Sequence, residues 1–420
     1  MKVSLKWGDE SVAFDLPDRN VIDVLEPEGG EPVADLWEAA WDLLETPTAG
    51  EPFSDIVERL APKKIAIIVN DMTRSTPTRE LLPPILKKLD LLDVARESVV
   101  IVVATGTHRA MNAEEIGQIL GPDIPKAYRV VNHDCDAPDL VPLGTLSTGN
   151  ELRICREVAE ADMRIAIGEV LLHYYAGFAG GRKSILPGVA ARETVMSNHK
   201  MMTWPGVDIG VVEGNPLSDE MIEAVERFCP LHFIVNCVSD SRKNIIRLVG
   251  GHWKDAWLEG IRTFREKNFA PLDRQADVVF VSAGGYPKDI NMYQAHKAIH
   301  MAARAVRDGG TIVFFAELEE GYGHKTFQEW AQRGSTKDET IASFEADFRF
   351  GAHKLYYLAK VAKRATILLY ADVDAADAKK MFCTKVTDLG VVVREMAEKY
   401  GPDFTAIVIP QGGIVLPVIR

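Results

Sequence analysis

The chain has 420 residues, of which 47% are hydrophobic and 26% are charged, and its formal net charge at pH 7 is −13. This composition is typical of a globular protein with two or three domains. The acidic balance argues against nucleic acid or an anionic membrane as a partner. We find neither an apolar signal core at the start nor a run of eighteen apolar residues, so we expect a cytoplasmic protein.

The first seventeen residues alternate in polarity and predict a short hairpin. From residue 63 onward, short β-branched runs recur about every thirty residues, which is the spacing of βαβ units. These runs cover residues 63–69, 98–104, 128–134, 163–168, 231–238, 276–284, 310–317, 365–372 and 405–410, with helical patterns between them at, for example, 78–89 and 294–306. Continuous apolar strands of this kind are buried on both faces. We predict an α/β protein of two lobes with largely parallel, Rossmann-like sheets and a ligand cleft between them.

The boundary between the lobes is expected near residues 266–276, where Pro271 and charged residues separate two strand-rich blocks. We therefore predict an N-terminal domain at 1–270 and a C-terminal domain at 275–408. The tail at 411–420 is expected to return to the first domain. Five cysteines are scattered without any C-x-x-C pair, which indicates reduced thiols and argues against a thiolate zinc site.

Polar side chains follow the first two strands, at the loops where parallel sheets carry their sites. Asp71, Thr73 and Arg74 come after the first, although taken alone they favour a turn into a helix that Asp71 or Thr73 caps. His108 lies in the loop after the second strand, just before a predicted capping box of Asn112 and Glu115. His133, at the end of the next strand, is expected to be structural.

The stretch HYYAGFAGGRKSILPGV at 173–189 joins His173 to a glycine-rich turn that ends on Lys183. Gly177 stands six residues before Lys183, as in a phosphate loop, but Arg182 occupies the place of the second glycine. A phosphotransferase that uses Lys183 and Ser184 is therefore a weaker alternative. His199 follows in the next helical segment.

A second group of polar residues lies in the sequence GYPKDINMYQAHK at 285–297. On a helix that begins near Asn291, Tyr293 and Gln294 are spaced four and three residues before Lys297, so these three side chains are expected to face one way. A solvated helix start is the alternative interpretation.

The complete set of motifs resembles the nickel-pincer-nucleotide-dependent lactate racemase family, which includes 2-hydroxyacid racemases and epimerases. The matching motifs are N-D-x-T-R, T-G-T-H-R, H-x-x-A-G-F-x-G-G-x-K-x-x-x-P-G, N-H and Y-P-x-D-x-x-x-Y-Q-x-x-K, and they occur in the family's order. The resemblance implies an isomerase that inverts C2 of a 2-hydroxy acid. It also implies a nickel pyridinium-3,5-bisthiocarboxylate mononucleotide as cofactor, bound by the N-terminal domain while the C-terminal domain closes over the substrate.

The resemblance further implies a role for each motif residue. Lys183 would tether the cofactor, His199 would ligate nickel, and His108 and His173 would be the acid/base pair. The remaining residues would bind the substrate (Arg74, Tyr293, Gln294, Lys297) or lie beside the cofactor (Asp71, Thr73, Gly177, Gly180, Gly181). Enzymes of cofactor biosynthesis and nickel insertion would be transient partners.

This chemistry accounts for the residue types. The α-hydrogen of a 2-hydroxy acid is very weakly acidic, and moving it as hydride avoids a carbanion. A histidine then has only to exchange the hydroxyl proton, and inversion of either enantiomer requires two such bases. Arginine and lysine suit a carboxylate, and a sulfur-rich pincer completed by one imidazole suits Ni(II). The substrate is lactate or a larger or more polar 2-hydroxy acid, depending on positions such as His353, Lys354 and Tyr356. A relative that binds the cofactor without racemase activity is the non-enzymatic alternative.

Overall fold

The computed structural model describes residues 1–240 and 243–420, which form two compact units. The central unit comprises Gly29–Lys267, and the terminal unit comprises Met1–Glu28 together with Asn268–Arg420. No described helix combines the length and the apolar character needed to cross a bilayer.

Most of the secondary structure alternates between strands and helices. The strands are β1 (Lys2–Trp7), β2 (Glu10–Asp15), β3 (Val21–Val24), β4 (Ile65–Asn70), β5 (Val99–Ala104), β6 (Arg129–Asn132), β7 (Val141–Thr145), β8 (Glu151–Ile154), β9 (Met163–Val170), β10 (Leu172–His173), β11 (Gly177–Phe178), β12 (Phe233–Ser239), β13 (Ile245–Gly251), β14 (Phe269–Leu272), β15 (Ala276–Ser282), β16 (Val306–Phe315), β17 (Thr366–Tyr370), β18 (Thr384–Lys385), β19 (Ala406–Ile409) and β20 (Leu416–Ile419). The α-helices are α1 (Leu36–Glu45), α2 (Phe53–Leu60), α3 (Thr78–Leu91), α4 (Ala113–Leu120), α5 (Ile124–Ala127), α6 (Arg156–Ala159), α7 (Arg192–Lys200), α8 (Pro216–Glu223), α9 (Trp253–Asn268), α10 (Met292–Ala302), α11 (Lys325–Gln332), α12 (Lys337–Ala346), α13 (His353–Arg364), α14 (Ala375–Lys380) and α15 (Leu389–Tyr400).

Each unit is built on a six-stranded sheet. The central sheet has the order β13-β12-β9-β4-β5-β6 and is parallel except for β13. The terminal sheet has the order β18-β17-β16-β15-β19-β3 and is parallel throughout. The prediction of an α/β protein with two largely parallel sheets is therefore confirmed. Strand β9 is buried along its whole length, as its continuous apolar sequence requires.

The division into units differs from the sequence prediction at both ends of the chain. The β1–β2 hairpin belongs to the terminal unit, where Phe14 packs against Phe280 and Phe315 with ring centroids 5.0 and 5.6 Å away. Burial of one such aromatic side chain stabilises the folded protein by about 1.5–3 kcal/mol. This packing explains why the hairpin belongs to the terminal unit although the central unit follows it in the sequence. Strand β3 also joins this unit, because it pairs with β19.

The carboxyl-terminal tail likewise remains in the terminal unit, and the sequence prediction that it returns to the first domain differs from the structure. Strand β20 pairs in parallel with β14, and the amide of Arg420 donates to the carbonyl of Leu272 at 3.0 Å. Backbone pairing with the strand that opens the second part of the unit therefore fixes the tail. The units divide between Lys267 and Asn268.

Candidate active site

Three neighbouring parallel strands deliver the candidate residues of the central unit to one edge of its sheet. Strands β9, β4 and β5 are adjacent, so their carboxyl ends lie together. Asp71 follows β4, His108 follows β5, and His173 lies just beyond β9. The sheet thus brings together side chains that are about a hundred residues apart in the chain.

Asp71 holds His108 in a defined tautomer. Asp71 Oδ2 lies 2.7 Å from His108 Nδ1, and Asp71 Oδ1 accepts from the backbone N–H and the hydroxyl of Thr73 at 3.2 and 2.6 Å. Burial opposes ionisation of Asp71, but the bonds from His108 and Thr73 outweigh it and lower its pKa. An ionised carboxylate can only accept, so Nδ1 of His108 carries the proton of this hydrogen bond. Asp71 thus closes a local turn onto Thr73 and contacts His108 as well, but neither Asp71 nor Thr73 caps helix α3, which begins after Pro77 without a side-chain cap.

The structure near these two loops agrees with two sequence predictions. Asn112 and Glu115 form the predicted capping box of α4. His133 is buried and its Nε2 lies 3.0 Å from the carbonyl of Ala190, which gives it the expected structural role. Arg74 is exposed, and its positive charge acts on His173 and Lys183.

The glycines of the 173–189 stretch serve the packing of the turn. Gly177 has φ of 70°, and a Cβ there would lie 1.9 Å from the carbonyl oxygen of Val211. Gly180 and Gly181 also have positive φ, and their Cβ positions are closed by Asn236 and Trp257, with contacts of 2.8 and 3.0 Å. A side chain at any of the three would strain the backbone and collide with protein atoms. The Cβ position of each glycine is thus occupied by the protein's own atoms, and their place beside the cofactor stays a prediction.

Arg182 explains why the phosphate-loop pattern is incomplete. Its side chain is fully buried and donates to the carbonyls of Phe178 and Ala176 and to the hydroxyl of Ser218, at 3.1, 2.7 and 2.8 Å. Burial lowers its pKa to about 9, so the guanidinium still carries its charge at neutral pH. Residues Gly181–Ser184 form a 3-10 turn with no α-helix amino terminus to receive a phosphate. This local structure does not support the phosphotransferase alternative.

Lys183 and His173 share a hydrogen bond whose direction can be deduced. Lys183 Nζ lies 3.0 Å from His173 Nε2, and His173 Nδ1 accepts from the backbone N–H of Ala176 at 3.3 Å. Because Nδ1 accepts, the proton of the neutral imidazole must be on Nε2, and Lys183 must supply a lone pair. Burial lowers the pKa of both groups well below its usual value, and nearby cationic side chains lower both further. The hydrogen bond and the lowered pKa both favour the uncharged amine of Lys183, the form in which lysine is a nucleophile.

His199 approaches this pair from helix α7. Its ring stands edge-on to Tyr175 at 4.8 Å, and Tyr175 meets His173 edge-on at 4.6 Å. Asn198 Oδ1 lies 3.2 Å from His199 Nδ1, while Asn198 Nδ2 donates to the buried carboxylate of Glu220 at 2.6 Å. Burial lowers the pKa of His199 to about 3, so the ring is neutral. With Nδ1–H donated to Asn198, the Nε2 lone pair of His199 is available to a metal.

His199 does not belong to a metal site made of protein side chains alone. Within residues 1–240 and 243–420, the one cluster of ligand atoms close enough to hold an ion is Asp134, Cys135 and Asp136. Asp136 is already paired with Arg192 at 2.7 Å, and burial raises the pKa of the Cys135 thiol. The described cysteines are all free and buried, as expected from the sequence. A metal on His199 would thus need its other ligands from a bound molecule.

The terminal unit carries the second group of predicted residues on helix α10. Asn291 caps this helix by accepting from the backbone N–H of Gln294 at 3.0 Å, which confirms the predicted start. Gln294 is exposed and Lys297 is partly buried, whereas the ring of Tyr293 stacks on His324 at 4.5 Å. That these three side chains face one way stays a prediction.

A cavity of about 910 Å³ in the terminal unit lies away from all of these residues. Two of its basic residues are engaged in ion pairs, Lys363 with Asp338 at 2.5 Å and Arg364 with Asp308 at 2.7 Å. It contains none of the imidazole or amine groups described above, so we do not place the chemistry there.

Buried lysine and histidine side chains with lowered pKa values, beside an exposed arginine at the carboxyl edge of a parallel sheet, are typical of the active site of an α/β enzyme. Comparison with known proteins makes this class more specific. The lactate racemase N-terminal domain profile matches residues 7–210, and the lactate racemase C-terminal domain profile matches residues 272–417.

Similar proteins span the whole chain. A lactate racemase of Thermoanaerobacterium thermosaccharolyticum is 31% identical over 99% of this chain and 98% of its own length, and one of Lactiplantibacillus plantarum is 36% identical over 65% of each. The structure of the lactate racemase apoprotein from the former organism superposes with a TM-score of 0.89 at 30% identity, covering all of both chains. A Thermotoga maritima protein, with a TM-score of 0.63, 19% identity and coverage of 94% of this chain and 100% of its own, shares the fold. The chain belongs to the lactate racemase family, and it is an isomerase of the racemase type.

Sequence reasoning missed several residues that shape this site. Arg182 was noted only as a mismatch, and Asn198 and Glu220 received no role. A buried carboxylate nearly always has a hydrogen-bond partner. The partners of Glu220 lie between residues 148 and 198, and nothing in the sequence near Glu220 predicts them.

Proposed function

We propose that this racemase inverts C2 of a 2-hydroxy acid with the aid of a nickel-pincer nucleotide tethered to Lys183. The observation that carries the proposal is the contact of Lys183 Nζ with His173 Nε2 at 3.0 Å, next to Tyr175, whose ring also contacts His199. The residues present fit the cofactor. A neutral amine can form a covalent link, and the free Nε2 of His199 can complete the metal coordination.

When bound, the cofactor would supply an electron-poor carbon that takes and returns the α-hydrogen of the substrate as hydride. His108 would exchange the hydroxyl proton through Nε2, while Asp71 fixes its tautomer and stabilises the charge it acquires. His173 would serve the opposite enantiomer through Nε2, the atom that contacts Lys183 in this structure and that the tether would release. Each imidazole would thus exchange the proton of the substrate hydroxyl group, one for each enantiomer.

The substrate carboxylate would be bound by Arg74 and Lys297. A guanidinium offers two parallel donors to a carboxylate, and an ammonium adds a point charge. Asp71 and Thr73 would lie beside the cofactor, Tyr293 and Gln294 beside the substrate, and Gly177, Gly180 and Gly181 would shape the turn that presents Lys183. Because its relatives are lactate racemases, lactate is the first substrate to test.

The tether can be tested by mass spectrometry. Protein produced together with the enzymes of cofactor biosynthesis and nickel insertion should racemise lactate or another chiral 2-hydroxy acid. It should also carry an adduct on the peptide that contains Lys183. Lys183→Ala should lose both the adduct and the activity, whereas Lys254→Ala, at a lysine that pairs with Glu226 in the same unit, should keep both. A loaded and active Lys183→Ala protein would contradict the assignment.

The fate of the α-hydrogen tests the role of the histidines. If His108 and His173 exchange only the hydroxyl proton, racemisation in D₂O should leave hydrogen at C2, and a C2-deuterated substrate should keep its label through inversion. If either histidine removed the α-hydrogen itself, rapid exchange of the imidazole would bring solvent deuterium into C2. Substantial deuterium at C2 after one turnover would rule out the proposed roles.

A further inference from the structure

A buried carboxylate lies near Arg74, the arginine assigned to the carboxylate of the substrate. This carboxylate belongs to Glu169, close to the carboxyl end of strand β9. The positive charge of Arg74 acts on Glu169. Arg74 itself is exposed, and its guanidinium forms neither a hydrogen bond nor an ion pair with any residue that the structure describes. Two opposite charges therefore lie near each other in the central unit without pairing.

Two serine hydroxyls occupy the carboxylate of Glu169. Ser75 Oγ donates to Glu169 Oε2 at 2.9 Å, and Ser239 Oγ donates to Glu169 Oε1 at 2.5 Å. Ser75 directly follows Arg74 in the loop after β4, and Ser239 is the last residue of β12. Because β4 and β12 flank β9 in the sheet, the two donors reach Glu169 from the two neighbours of its strand.

The two hydrogen bonds hold the carboxylate in one orientation. Arginine pairs most strongly with a carboxylate when it donates to both oxygens in one plane. Turning Glu169 towards Arg74 in this way would break the bonds from Ser75 and Ser239, and a buried acceptor that loses its donor destabilises the protein. Burial raises the pKa of Glu169, while the serine hydroxyls and the charge of Arg74 oppose this rise.

We propose that Ser75 and Ser239 are positioning residues, which hold the carboxylate of Glu169 so that Arg74 stays unpaired and can bind the carboxylate of the substrate. The bonds from both serines to one buried carboxylate, beside an exposed arginine, support this assignment. The inference rests on the proposed function, which assigns Arg74 to the substrate. The competing interpretation is that the bond between Ser75 and Glu169 only anchors the loop after β4.

Labelling of the full-length apoprotein with phenylglyoxal tests the state of Arg74 without substrate. This reagent modifies an unpaired guanidinium faster than one held by a carboxylate, and mass spectrometry of the peptides gives the rate at each arginine. In Ser75→Ala/Ser239→Ala, Glu169 should turn to Arg74 and slow its labelling by about three- to tenfold. Adding Glu169→Gln should restore the wild-type rate. Arg79, an exposed arginine of helix α3, is the internal reference, and its rate should not change.

Kinetics of the cofactor-loaded protein test the consequence for the substrate. With lactate, or another 2-hydroxy acid that the wild type racemises, the double serine variant should raise KM by about three- to tenfold and leave kcat nearly unchanged. An ion pair that competes with the substrate carboxylate weakens the ground state and the transition state alike. Glu169→Gln in the same background should return KM to the wild-type value. Ser147→Ala removes a serine bond to Glu223 in the same unit, and it should change neither KM nor the labelling of Arg74.

The two measurements separate this inference from the proposed function. Unchanged labelling of Arg74 in the double serine variant, or slow labelling that Glu169→Gln does not reverse, would overturn the inference in favour of a loop anchor. Labelling that responds as expected, while KM does not change or adduct-bearing protein racemises no 2-hydroxy acid, would support the positioning of Arg74 and contradict its assignment to the substrate. If the double variant does not fold, Ser75→Ala alone, at an exposed serine, carries the test with the same expected directions.

Discussion

Lys183 in the central unit and Lys354 in the terminal unit are both enclosed amines, yet their surroundings give them different chemistry. Lys183 contacts an imidazole that donates to it, and its pKa is lowered well below the usual value by burial and by Arg74 and Arg182. Lys354 donates to a carbonyl, contacts a ring face and has a pKa of about 7. Burial alone therefore does not decide the state of a lysine. The N–H of His173 needs a hydrogen-bond acceptor and therefore favours the neutral amine of Lys183. The carbonyl of Tyr293 accepts a hydrogen bond and is therefore compatible with a protonated Lys354.

Arg182 lies next to Lys183 and is also buried, but its guanidinium remains charged at neutral pH. Arg182→Met would leave two carbonyls and the Ser218 hydroxyl without their donor, and we expect it to reduce the free energy of unfolding by about 3 kcal/mol or more. Lys183→Met removes only an acceptor for His173, so the change should be within about 1 kcal/mol. Urea denaturation of the two apoproteins measures both values. Equal losses would show that Lys183 is a charged structural residue like Arg182.

The titration of Lys354 should appear in the pH dependence of stability. Its pKa is about 7 in the folded protein and about 10.4 in an unfolded chain, so between these values the unfolded state binds more protons. Folding stability contributed by this group therefore rises with pH above 7 and is lost as pH falls towards 7. Without ligand, the wild type should gain about 2 kcal/mol relative to Lys354→Met between pH 7 and 9.

Denaturation of the wild type and Lys354→Met at several pH values checks this prediction, and Lys360→Met serves as the matched control. A constant difference between wild type and Lys354→Met would mean that the amine of Lys354 does not titrate in this range. The main charge acting on it in the terminal unit is that of Lys297.

The surroundings of His199 offer a smaller test in the central unit. Glu220 accepts from Asn198, Asn150 and Thr148, so Glu220→Gln replaces an acceptor with a donor in this network. Misorientation of Asn198 should weaken the hold on His199 and shorten nickel retention by the loaded protein about tenfold. Glu223→Gln, which alters a carboxylate that binds Ser147 and Arg227 one turn further on, should have no such effect. The nickel content after gel filtration measures retention in both variants. Unchanged retention in Glu220→Gln would show that Asn198 does not orient His199 for nickel binding.

The sequence predicted the parts of this molecule that depend on local pattern. The apolar runs became the strands of two largely parallel sheets, and the caps at Asn112 and Asn291 formed as expected. Family membership followed from the order of motifs and was confirmed by the comparisons. The strands, the caps and each single motif depend on residues within a few positions of one another.

Features that depend on distant contacts could not be predicted in this way. The place of the β1–β2 hairpin depends on Phe280 and Phe315, far along the chain from Phe14. The direction of the Lys183 hydrogen bond depends on the amide of Ala176, and the state of Lys354 depends on a carbonyl of another helix. None of these contacts changes the local sequence pattern, so only the folded structure reveals them.

The contrast between the two lysines can be observed directly by neutron diffraction from crystals of the deuterium-exchanged apoprotein at pH 6. The account predicts two deuterons on Lys183 Nζ, one on His173 Nε2 and none on His173 Nδ1, together with three deuterons on Lys354 Nζ. Three deuterons on Lys183 Nζ, with the deuteron of His173 on Nδ1, would contradict the neutral amine on which the proposed tether depends.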